Sequence, residues 1–132
     1  AAAHALQYPV GALTHTAHGI GVAVLMPYVM AFNRSACRTE FAQIATAMGV
    51  QGHDEDLLAD AAVQAVAALF SSIGIPATLK DIGLSDSTLA HVANQSMLAA
   101  RLVNNNPRPL DVASMSLITQ AAHQGNLSMP GR

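Results

Sequence analysis

Nowhere in this 132-residue chain do apolar and polar residues alternate with period two. Apolar residues recur instead at intervals of three and four, with helix start and stop residues between the runs. That pattern predicts an all-α, bundle-like fold. A first helix is expected from Ala1 to about Tyr8, stopped by Pro9, with Pro9 to Thr16 as a connection that folds back. A second is expected from Gly19 to Phe32, kinked where Pro27 removes a backbone donor. Asn33 or Ser35 then caps a third, which ends where Gly49 supplies a left-handed residue after Met48.

Further along, Asp54, Glu55 and Asp56 gather where a helix N-terminus favours negative charge. They precede one broad apolar face of Leu57, Leu58, Ala61, Ala62, Ala65, Val66, Leu69, Phe70 and Ile73, which Gly74 and Pro76 terminate. After a short turn at Leu79 to Gly83, Ser85 or Asp86 caps a helix with Leu89, Val92, Ala93, Ser96, Met97, Ala100 and Val103 inward. The segment NNNPRPL ends it as a loop, and Asp111 caps a last helix to about Gln124, with Gly125 as its stop and a polar, frayed tail to Arg132.

With 52% apolar and 11% charged residues and no linker-like stretch, residues 1–132 read as one domain with a real core. A net charge of -2 with six Lys and Arg in all leaves no basic stripe for nucleic acid. Cys37 has no partner for an intrachain disulfide, which favours a reducing compartment, the cytoplasm by default. The longest apolar run, Gly19 to Phe32, is interrupted by Pro27 and falls short of the roughly 18 residues that suggest a bilayer span, so a buried helix is expected and no membrane partner. The chain has neither an initiator Met nor a signal-peptide pattern and reads as cut from something longer. The Gly19 to Phe32 run is apolar nearly all round, and the mean hydropathy is +0.34. Apolar surface around His4 to Phe32 is therefore expected to face a neighbour, and the isolated chain to self-associate.

Three histidines, His4, His15 and His18, fall in the otherwise apolar stretch HALQYPVGALTHTAHG. Two of them could converge if the connection folds back, although they form no i, i+4 pair on one helix. The first acidic residue is Glu40, so a metal site here would be incomplete. His53, His91 and His123 have no acidic or His neighbour at useful spacing and read as ordinary surface or hydrogen-bonded residues. HGIGVAV has Val24 where a dinucleotide fingerprint needs its third glycine and reads as a helix start. Cys37 has no evident base beside it, and Met26, Met30, Met48, Met97 and Met115 sit at core spacing.

Residues 4 to 33, HALQYPVGALTHTAHGIGVAVLMPYVMAFN, resemble the metal-binding signature of the iron-containing (group III) alcohol dehydrogenases. EFAQIATAMGV, IGIPATLKDIGL and NNPRPLDV are similar to later segments of that family in the same order, so the resemblance covers nearly the whole chain. It implies a dehydroquinate synthase-like α-domain without the N-terminal α/β nucleotide-binding domain. It also implies a divalent ion, Fe²⁺ or Zn²⁺, held by one Asp and three His. His4 and His18 match the last two His ligands, and the Asp and first His are expected to lie before Ala1. The implied reaction is reversible alcohol oxidation, with NAD or NADP bound mainly by the other domain. The implied partners are a small alcohol or aldehyde, the chain's own N-terminal domain and, at full length, further copies.

The 132-residue chain by itself is expected to be inactive. Tyr8 stands four residues after His4, where many members carry another His near the substrate; its phenol donates a hydrogen bond but does not titrate near neutrality. Tyr at this place also resembles the hydroxyacid-oxoacid transhydrogenase branch. Gly19, directly after His18, reads either as a residue for a tight turn into the helix or as a plain helix start. A helical interaction module without catalysis is the reading from another class.

Overall fold

The computed structural model describes residues 1–128. Among them lie seven α-helices, two 3-10 turns and no strand: α1 (Ala2–Thr14), α2 (His18–Asn33), α3 (Arg38–Ala47), α4 (Glu55–Ser72), α5 (Leu89–Ser96), α6 (Ala100–Asn104) and α7 (Val112–Gln124). α2 runs through the middle, packed on α1, α4 and α7; α3 packs on α4, and α5 packs on α1 and α7. One continuous core joins Leu6 and Val10 of α1, Leu25 and Val29 of α2, Leu58 and Val63 of α4, Val92 of α5 and Met115 and Ile118 of α7.

Several local signals act as their chemistry dictates. Asp54 caps α4 by accepting from the Leu57 N–H at 3.0 Å. Asp111 and Ser114 form a reciprocal capping box at α7. Gly49 and Gly125 take the left-handed backbone, φ 91° and 79°, that ends α3 and α7.

Pro9 does not stop the first helix. α1 continues to Thr14, although Pro9 has no N–H to give the Ala5 carbonyl, a loss that costs about 3 kcal/mol in a helix interior. Burial of both Pro9 and Val10 offsets it. The helix ends at His15, a residue type that tolerates the left-handed region, with φ 56° and its N–H on the Gly11 carbonyl. Thr14 adds a hydroxyl bond to the Val10 carbonyl. The folding back thus occurs at His15 to Ala17, and Gly19, already inside α2 and without positive φ, makes no tight turn.

Neither Asn33 nor Ser35 caps α3. Its N-cap is Cys37, without a side-chain bond, because a 3-10 turn at Arg34–Ala36 intervenes and the Asn33 amide is engaged elsewhere. The expected single helix after Ser85 is divided. Ser85 caps a 3-10 turn, Asp86–Thr88, and between α5 and α6 the N–H groups of Met97, Leu98 and Ala99 reach back only three residues. Ala100 is consequently exposed rather than inward. On α4 the buried stripe is Leu58, Ala59, Ala62 and Val63, while Leu57, Leu69 and Ile73 face outward, and Met48 beyond α3 is exposed too. α4 packs against α2 and α3.

Most of α2 is covered within the chain: its neighbours bury Val24, Leu25 and Pro27 to Asn33, while Ile20, Val22 and Met26 are only half-buried. In that region the exposed large apolar side chains are Tyr8 and Leu13, both on α1. Of the expected polar tail, Leu127 is half-buried against the core, and Met129 to Arg132 lie outside the described residues. No helix among the described residues is long and apolar enough to cross a membrane.

Candidate functional site

Packing of α1 on α2 brings His4 and His18 together from separate helices. On α1, Ala2, Ala3, Ala5 and Leu6 turn to the core, which leaves His4 and, one turn later, Tyr8 on the solvent side. His18 is the first residue of α2 and is exposed as well. The two imidazole ring centres lie 5.3 Å apart with their planes tilted by 51°.

A ligating imidazole nitrogen about 2.1 Å from a divalent ion puts its ring centre about 3.2 Å from that ion, so two rings meeting at a tetrahedral or octahedral angle have centres about 4.5–5.3 Å apart. The observed separation fits two donors of one ion, at the upper end of that range. Among the described residues, no three His, Cys, Asp or Glu side chains group to hold a metal, so the pair is an incomplete donor set.

Tyr8 is 61% exposed and borders a surface cavity of about 440 Å³ between α1 and α5, together with Leu13, His91 and Leu98. His91, read from the sequence as an ordinary residue, thus shares a rim with Tyr8. His15 is exposed at the end of α1, and His53 is exposed between α3 and α4. His123 places Nε2 3.1 Å from the Leu84 carbonyl oxygen. A more apolar cavity of about 340 Å³ between α2, α4 and the end of α7 lies apart from the histidines. Its one phenol, Tyr28, donates to the Ala77 carbonyl at 2.6 Å, and burial, with Asp81 nearby, pushes its pKa up.

Sequence reasoning passed over Gln7. It is 2% exposed, with its carboxamide held between α1 and α2. A Cβ at Gly21 would coincide with that carboxamide, and one at Gly11 would lie 2.8 Å from its Nε2. Two glycines inside apolar helices were the available signal, since such positions mark close packing.

A family profile described as Fe-containing alcohol dehydrogenase family, C-terminal, matches residues 1–123. Long-chain-alcohol dehydrogenase 1 of Geobacillus thermodenitrificans is 34% identical over 98% of this chain and 33% of its own length. Lactaldehyde reductase of Escherichia coli is 36% identical over 80% of the chain and 28% of its own length. A solved 1,3-propanediol oxidoreductase structure superposes with a TM-score of 0.86 at 30% identity, over 92% of this chain and 32% of that one. The chain thus spans about a third of the length of the relatives it matches.

Proposed function

The chain belongs to the iron-containing alcohol dehydrogenase family, as C-terminal sequence of that family, and from that premise we propose that it contributes to a metal-centred site interconverting an alcohol and its aldehyde or ketone. The observation that supports this reading is the 5.3 Å pairing of His4 and His18. Both would hold Fe²⁺ or Zn²⁺ through neutral imidazole nitrogens. When bound, the ion supplies Lewis acidity toward the substrate oxygen, and NAD or NADP, bound mainly by sequence outside these residues, takes up the hydride. The Tyr8 phenol, exposed one turn beyond His4, orients the substrate by a hydrogen bond. The described residues offer two metal donors and no strand, and taken alone they are expected to show no turnover.

The test is made on the protein with its remaining sequence. Alcohol-dependent reduction of NAD or NADP should be lost on chelation and restored by Fe²⁺ or Zn²⁺. Turnover indifferent to chelation refutes the reading. Tyr8 also favours a second reading, transhydrogenation, in which the cofactor stays bound and hydride passes to a 2-oxo acid. Turnover of a hydroxy acid with a 2-oxo acid acceptor and no added nicotinamide would select it.

A further inference from the structure

We propose that Gln7 is a positioning residue for the metal site: its buried carboxamide, clasped between Gly11 and Gly21, sets the separation of α1 and α2 and with it the spacing of His4 and His18. This rests on the assignment of those two histidines as metal donors. Gln7 stands three residues after His4, and Gly21 three residues after His18, so the contact lies about 4.5 Å along each axis from a donor. A Cβ on Gly21 would occupy the space of the carboxamide, so either the Gln7 side chain or the helix crossing must shift to admit one.

Packing alone does not account for an amide at this place. Oε1 of Gln7 is buried without a hydrogen-bond partner, and an apolar side chain of similar length would fill the space and leave no acceptor unmatched. What the amide provides is a flat end group lying between the two helices. Its oxygen faces the Cα–H of Gly21, a weak polar contact that suits close helix crossings, and Gly11 leaves room for its nitrogen on the other side. The ring centres, at 5.3 Å, stand at the separation of two imidazoles meeting at a tetrahedral angle on one ion, so a wider crossing forces that angle open.

The probe is Co²⁺, bound to the protein with its remaining sequence, read by chelator competition and by its visible absorption bands. Gly21→Ala is expected to weaken Co²⁺ binding by roughly 10- to 100-fold and to shift the bands. Gln7→Ala/Gly21→Ala is expected to recover both, since the alanine methyl then takes the vacated space. Metal-free melting temperatures separate any cost to the fold. Wild-type affinity and spectrum in Gly21→Ala, or a double variant no better than Gly21→Ala, overturns the proposal. Should Gly21→Ala not fold, Gln7→Ala alone decides: weaker, altered Co²⁺ binding supports the role and wild-type binding overturns it. His4→Ala and His18→Ala run alongside. If they lose Co²⁺ while the Gln7 and Gly21 variants keep it, only the positioning role fails; if they keep it, the metal assignment fails and takes this inference with it.

Discussion

Asn33 and Asn106, 73 residues apart, exchange two amide hydrogen bonds: Nδ2 of Asn33 donates to Oδ1 of Asn106 at 3.1 Å, and Nδ2 of Asn106 donates to Oδ1 of Asn33 at 2.8 Å. The second Nδ2 hydrogen of Asn106 goes to the Arg108 carbonyl at 2.8 Å, and its oxygen also accepts from the Ala2 N–H at 3.3 Å. Arg108 closes the assembly, lying 3.9 Å over the Phe32 ring and donating to the Phe32 carbonyl. The loop after α6 is thereby tied to the end of α2 and to the start of α1, two residues from His4.

Removing one side of this exchange should be costly. Asn106→Ala leaves the buried Asn33 amide without its partner and is expected to destabilise the protein by roughly 1–3 kcal/mol, read as a lower urea midpoint. In a double-mutant cycle with Asn33→Ala the two losses should be strongly non-additive. Simple additivity would show that the exchange contributes nothing.

Among the histidines the effects should divide sharply. His18→Ala, which removes a proposed donor, is expected to lose most of the bound metal on dialysis, along with turnover. His53→Ala, His91→Ala and His123→Ala should keep both. Full metal content in His18→Ala, or a large loss at any of the other three, would show the donors to be misassigned.

Asp111 gives a pH-dependent signature. The Ser114 backbone N–H, donating at 2.7 Å, and then the Ser114 hydroxyl, favour the charged carboxylate and hold its pKa below the ordinary value. The folded pKa is the lower one, so the stabilisation is complete above the unfolded value of about 3.9 and is lost as pH falls through the folded value. Asp111→Ala should therefore lower the melting temperature at pH 7, and its gap from wild type should narrow below about pH 4. A gap that does not change with pH would mean that the cap's charge is irrelevant.

Cys37 should be sluggish toward electrophiles. Burial, and secondarily the Glu40 carboxylate, push its thiol pKa up, which leaves little thiolate at neutral pH. Alkylation by iodoacetamide at pH 7.5 is expected to run slower than that of free cysteine, and Glu40→Gln to speed it modestly. A rate equal to or above that of free cysteine would contradict this.

The sequence by itself determined the helical class and the punctuation at Asp54, Gly49, Asp111 and Gly125. A cap or a left-handed glycine gains its energy from atoms within a few residues, so the local sequence holds all the terms. Spacing left His4, His15 and His18 open, and only the family resemblance of residues 4 to 33 pointed to His4 and His18. What only tertiary structure decided depends on partners far along the chain. Pro9 stays helical because Pro9 and Val10 are buried in a core that reaches from α1 to α7. The faces of α4 that stay dry depend on where α2 and α3 come to rest. The two imidazoles reach 5.3 Å only because α1 packs on α2 after the left-handed residue at His15, and Asn33 finds Asn106 rather than capping α3 because that distant amide offers both a donor and an acceptor. Burial and paired hydrogen bonds across such distances outweigh the few tenths to about 3 kcal/mol that local preference supplies.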